Sequence, residues 1–252
     1  GPYALQASCE FSQDYFLTSR VVLGHAEDRV LPFVGVTGQA EALVLAGGTL
    51  SHLRRDPKQA SGWSFGTVPV PDAASVSTAA VVTDDSGAVF AMAAATLGGS
   101  STLTIITVDD TGTWTPVKGG SRSLSSVASD LRAGLTPSGQ AYFWLLDASG
   151  TVSVCLRRQV GPVQLYGYTV YDDFTKMDPQ QVWLLLDPTQ AGGQPASGWA
   201  VVLDGSGHLN AIPQTSPEAF DTDSPISLQG SADTVSSLVW TGRPEDTTQA
   251  FP

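Results

Sequence analysis

The chain has 252 residues, enough for one large all-β domain, and 42% of them are apolar, which supports a buried core and argues against disorder. Only 14% are charged, and 24 acidic against 12 basic residues leave a formal charge of −12. That sign disfavours nucleic acid and anionic lipid surfaces as partners, and no run of about 20 apolar residues is present to insert into a membrane as a helix.

From the N-terminus, Gly1-Pro2 has the form of a protease-cleavage remnant, so a missing leader sequence says nothing about secretion; an extracellular, secreted location is the expectation. Few Lys and abundant Ala, Gly and Val suggest a bacterial source. Four later stretches share one plan: an apolar strand, a glycine turn, then a second strand. They cover residues 42–51, 89–99, 142–150 and 199–207. Their turn glycines, Gly48, Gly99, Gly150 and Gly207, are 51, 51 and 57 residues apart. A second series, Gly38, Gly87 and Gly139, precedes the strands at spacings of 49 and 52.

The turns have a local cause. Asp84-Asp-Ser-Gly87, Asp109-Asp-Thr-Gly112, Asp147-Ala-Ser-Gly150 and Asp204-Gly-Ser-Gly207 each place an Asp where it can bond the backbone two residues on. Each ends in a Gly free to take positive φ. Between Val-, Ile-, Leu- and Thr-rich runs they read as β-hairpins. A period near 51 with short strands predicts an all-β propeller of about five four-stranded blades, in one domain over residues 1–252. Blades are expected near residues 30–66, 75–118, 130–170 and 180–228. The last would combine residues 235–252 with 3–24 and close the ring. A fragment of a longer propeller is the alternative.

The candidate chemistry is sparse. Gly62-Trp-Ser-Phe-Gly66 has the G-x-S-x-G form of a hydrolase elbow, but Thr67-Val-Pro-Val-Pro71 cannot supply the helix that must follow. His25, His52 and His208 lie at no metal-ligand spacing and read as surface or satisfied strand residues. The pairs Asp84-Asp85, Asp109-Asp110 and Asp221-Thr-Asp223 are calcium candidates, with plain turn chemistry as the simpler reading; otherwise no cofactor is expected. Cys9 and Cys155 are too few for a disulfide framework.

The aromatic residues are the better lead. A sugar ring offers apolar C–H faces to indole, while its hydroxyls need polar partners. Arg54, Arg55 and Trp63 are close in one expected blade, and Arg157, Arg158 and Tyr166 hold a similar phase two periods on. These six are the candidate ligand-binding residues. The competing reading has each Trp plugging a blade interface and each Arg-Arg as a solvated edge.

The run Gly48-Thr-Leu-Ser-His-Leu-Arg-Arg-Asp-Pro57, followed by Ser61-Gly-Trp63, resembles repeats of the tectonin and tachylectin lectin propellers. Gly150 to Arg158 matches in part. Leu103-Thr-Ile-Ile106 and His208-Leu-Asn-Ala-Ile212 lack the Arg pair, which counts against a ring of equivalent sites. The resemblance implies a non-catalytic, lectin-like module that recognises a glycan or cell-surface ligand, with the targeting part of a larger secreted bacterial assembly as one setting. A protein-interaction scaffold and a propeller glycoside hydrolase are the alternatives, the latter needing two converging carboxylates from among Asp147, Asp172, Asp173 and Asp187.

Overall fold

The computed structural model of this chain describes residues 3–5, 21–23, 28–59, 62–71, 75–97, 99–160, 163–187, 198–217 and 219–231. The chain divides into two compact units, Gly1–Val127 and Ala128–Pro252.

In the first unit, β1 (Tyr3–Leu5) pairs antiparallel with β2 (Val21–Leu23). Next comes a four-stranded antiparallel meander of β3 (Arg29–Val34), β4 (Ala40–Ala46), β5 (Thr49–Arg55) and β6 (Trp63–Thr67). A second follows: β7 (Val76–Thr83), β8 (Val89–Leu97), β9 (Ser100–Val108) and β10 (Trp114–Leu124).

In the second unit the third meander is β11 (Ala128–Leu135), β12 (Ala141–Asp147), β13 (Val152–Val160) and β14 (Val163–Tyr171). A single 3₁₀ turn, Asp173–Met177, leads to β15 (Pro179–Leu185), β16 (Trp199–Asp204) and β17 (His208–Ser216). The fourth position of this sheet is shared by β18 (Ala219–Phe220) and β19 (Ile226–Ser231), both paired with β17. The expected single fourth strand is therefore split. Asp221 still donates its N–H to the Pro213 carbonyl, but the register then jumps, with Ala211 opposite Ile226. The residues between, Thr222-Asp-Ser-Pro225, form a detour whose proline cannot donate to a ladder. Residues 235–252, and with them the proposed ring closure, lie outside the described residues.

Each sheet has the form of a propeller blade: an all-β, antiparallel meander of short strands. The inner strands are buried on both faces, as Leu43, Val44 and Leu45 in β4 and Val89 to Ala94 in β8 show. Such strands read as continuous apolar runs rather than as alternation. In the first unit, Phe33, Leu43, Leu45 and Leu50 of one sheet pack with Ala91, Ala93, Ile106 and Trp114 of the next. Each such Leu or Ile, fully withdrawn from water, contributes roughly 1.5–3 kcal/mol.

The aspartate turns form as their sequence demands. Oδ1 of Asp84, Asp109, Asp147 and Asp204 accepts the backbone N–H two residues on. The closing Gly of each has positive φ, for example +84° at Gly112. One further repeat escapes the letters. The first strand of three sheets begins with a one-residue bulge, at Val76/Thr78, Ala128/Asp130 and Pro179/Gln181. In two of them the extra residue is a serine, and Ser77 and Ser129 each donate a hydroxyl back to the neighbouring strand, to Ala94 and Leu146.

Candidate functional site

The antiparallel register decides which candidate residues share a face, because directly opposed residues project to the same side and neighbours in a strand to opposite sides. Arg55 lies opposite Trp63, and Arg54 opposite Ser64. Arg54 is therefore separated from the Arg55–Trp63 pair by the thickness of the sheet. On β13 and β14, Arg157 lies opposite Tyr166 and Arg158 opposite Leu165.

Between its turn glycine and its Arg pair the third repeat has one residue more than the first, Gly150 to Arg157 against Gly48 to Arg54, and the register shows where it falls. The β4–β5 hairpin closes over two residues, with Ala46 opposite Thr49. The β12–β13 turn is one residue longer, and Asp147 N–H bonds the Thr151 carbonyl across it. Leu50 and Val152 are then equivalent, opposite Leu45 and Leu146. Five residues on, Arg55 matches Arg157, and their partners Trp63 and Tyr166 match as well. The corresponding pairs in the second and fourth sheets are Ile106 opposite Pro116 and Gln214 opposite Phe220. The Arg–aromatic pair thus occurs in two sheets and is not repeated in the others.

Arg54, the residue without a repeat, faces a cleft in the first unit. The cleft has a volume of about 280 Å³ and is lined by β5, β6 and the turn between β9 and β10, including His52, Arg54, Ser64, Gly66, Thr113 and Trp114. His52 and Arg54 share a face of β5, and their partners Gly66 and Ser64 share that face of β6. A Cβ on Gly66 would meet no atom within 4 Å, so the glycine leaves the space open. Phe65, 58% exposed, stands at the rim.

The floor is a buried aromatic and ionisable group. His52 is 5% exposed, and its Nε2 lies 2.7 Å from Oε2 of Glu41. Its ring stacks on Phe33 at 5.7 Å and meets the edge of Trp114 at 5.5 Å. Glu41 reaches His52 of β5 from the start of β4; its carboxylate passes so close over Gly35 that any side chain there would collide with it. Trp114 is 5% exposed, and its indole N–H has no hydrogen-bond partner among the described residues. Buried donors are ordinarily paired.

Arg54 is positioned by the second sheet. Its guanidinium Nη1 donates to the Thr111 carbonyl, and a side chain at Gly112 would collide with it. That turn is held by Asp109, which accepts from the Thr111 hydroxyl and from the amides of Thr111 and Thr113. The Thr111 hydroxyl, followed by the Thr113 amide, holds the Asp109 carboxyl below its ordinary value. The carboxylates considered for calcium bond their own turns in the same way at Asp84 and Asp109, while Asp223 lies 3.3 Å from the Lys176 ammonium. Among the described residues no group of three or more His, Cys, Asp or Glu could hold a metal.

Ser64 of the G-x-S-x-G run lies within strand β6, not on an elbow, and makes no hydrogen bond to His52 among the described residues. The reading of the sequence missed His52, Glu41 and Trp114 as a group. The available signal was a His within an apolar strand and a Trp two residues after an aspartate turn, but 62 residues separate them in the chain.

No family model matches the chain, and no curated protein matches it. Among solved structures it is similar to the fungal lectin of Aleuria aurantia, whose structure is described as a six-bladed β-propeller with a novel fucose recognition mode. The identity is 13%, over 85% of this chain and 68% of that one, with a TM-score of 0.46.

Proposed function

We propose that this chain is a non-catalytic, propeller-type binding module and that the cleft beside Arg54 takes a carbohydrate. The observation that carries this reading is the composition of the cleft. An apolar wall of Trp114 and Pro69 stands beside a guanidinium and the hydroxyls of Ser64, Thr67 and Thr113. A sugar presents apolar C–H faces and many hydroxyls within one small ring, and such a mixed wall suits it. The lining residues include no pair of carboxylates of the kind glycoside hydrolysis uses.

A glycan array probed with the whole chain and with Gly66→Phe tests the reading. A Cβ at this position meets no atom within 4 Å, so the variant projects its ring from an open point of the cleft lining. Glycan binding by the parent that disappears in the variant supports the proposal. No binding to any glycan at high protein concentration rejects it. The scaffold alternative has the exposed apolar residues of the edge strands in its favour, Phe65 on β6 and Val170 on β14. A protein partner lost on Phe65→Ser, with glycan binding absent, would favour that second reading.

A further inference from the structure

We infer that the ligand of this cleft is a carboxylated monosaccharide, a uronic or sialic acid class of sugar rather than a neutral one. The inference rests on the carbohydrate reading above and narrows it to a ligand class.

The first ground is the local charge. Although the chain carries a net charge of −12, the residues lining the cleft include one permanent cation, Arg54, and no carboxylate. Two acids in contact with the elements of the site are engaged elsewhere. Glu41 faces His52, and Asp109 is engaged by the amides and hydroxyl of its own turn. A ligand anion therefore meets Arg54 without a competing carboxylate on the wall.

The second ground is a surplus of donors. Arg54 uses Nη1 on the Thr111 carbonyl, which fixes the guanidinium, and the fork carries five N–H groups in all. The remaining edge suits a two-pronged acceptor, and a carboxylate matches that geometry while a lone hydroxyl does not. Acceptor oxygens on the ligand would satisfy that edge. Trp114 contributes ring surface to the same wall, while its N–H is buried out of a ligand's reach.

The third ground is size. A cleft of about 280 Å³ falls just below the range of small-molecule sites, roughly 300 to 1,000 Å³, and so suits one sugar ring rather than an oligosaccharide. The hydroxyl side chains Ser64, Thr67 and Thr113 line the same space. Against a bare carboxylate they can only donate, whereas with a ring hydroxyl each can both give and take a bond.

The test is calorimetric titration of the whole chain with glucuronic, galacturonic and N-acetylneuraminic acids, with glucose and galactose, and with acetate, all at one ionic strength. At least one acidic sugar is expected to bind roughly tenfold or more tightly than its neutral counterpart, the scale of a charge-assisted bidentate contact. Arg54→Gln should erase that preference. Arg54→Lys, which keeps the charge and loses the fork, should retain part of it, and Lys58→Gln on an exposed turn should leave it intact. Circular dichroism of each variant confirms the fold. No preference for any of the three acids overturns the inference, as does acetate binding as tightly as the acidic sugars. If neutral glycans bind and are lost in Gly66→Phe while no acid is preferred, the carbohydrate reading stands and the acidic class falls. If no sugar of either kind binds, both fall.

Discussion

Replacing Tyr142 by Phe removes one buried oxygen and tests how the two sheets of the second unit are joined. Tyr142 projects from β12 and donates its hydroxyl to the Leu184 carbonyl at 2.6 Å, while the Leu186 N–H donates back to it at 3.2 Å. Two positions along the same strand, Trp144 donates its indole N–H to the Val182 carbonyl at 2.8 Å. β15 is an edge strand of its sheet. The groups on its open side have no strand partner, and side chains of β12 serve instead. In the variant the ring still stacks on Trp144, at 5.5 Å between centroids, so little packing is lost. What is lost is the partner of two buried backbone groups. At about 1–3 kcal/mol for each, discounted for the longer second bond, the change should destabilise the unit by about 2–3 kcal/mol. With a urea slope near 2 kcal/mol/M, the midpoint should fall by roughly 1–1.5 M.

The pH dependence provides a second reading of the same contact. Burial raises the Tyr142 phenol well above its ordinary 10.0. The unfolded chain therefore loses this proton first. The phenol's contribution is complete below pH 10.0 and declines as pH rises towards the folded value. The gap in midpoint between parent and variant should accordingly narrow above that pH. Urea titrations followed by tryptophan fluorescence at neutral and alkaline pH measure both effects. A midpoint shift under roughly 0.3 M at neutral pH would refute the assignment of these bonds as the junction.

Two further outcomes follow from the cleft. Glu41→Gln keeps an acceptor for His52, whereas Glu41→Leu leaves a buried ring nitrogen unmatched and should cost about 1–3 kcal/mol more in a urea titration; equal stability of the two variants would contradict the role given to the pair. The Asp109 carboxyl, held low by Thr111 and Thr113, supports its turn above the ordinary 3.8 and releases it only as pH falls through the lowered folded value. An NMR titration of the Thr111 and Thr113 amides should give a midpoint below 3.8, and a midpoint at or above it would count against the bonds described.

The turns were legible in the sequence because their chemistry is local. An Asp that caps its own backbone and a Gly that takes positive φ are set within five residues, as at Asp109 to Thr113. The hairpins around them followed, since alternating or continuous apolar runs flanked each turn. The bulges at Ser77 and Ser129 were not legible, because one extra residue in a strand leaves no compositional mark. The cleft was only half visible. Arg54 was singled out, but beside Arg55 and Trp63, to which the pleat turns its back. Its true neighbours, Thr111 to Trp114, arrive from another sheet, and contacts at such separations follow from strand order and register, not from any local pattern. Matching the Arg-Arg letters of two repeats also misled by one residue. A one-residue slip in a strand exchanges its faces.

The detour between β18 and β19 shows where this architecture absorbs added length. β15, β16 and β17 keep their ladder while the chain leaves the outermost position after Asp221 and resumes it at Ile226. An insertion there disturbs neither the inner strands nor the turns that set their register. Drift in a lineage of such sequences would accumulate at this point first. The same tolerance makes it a graft site: a reporter epitope placed between Thr222 and Pro225 would be displayed on the sheet's rim, in the opposite unit from the Arg54 cleft.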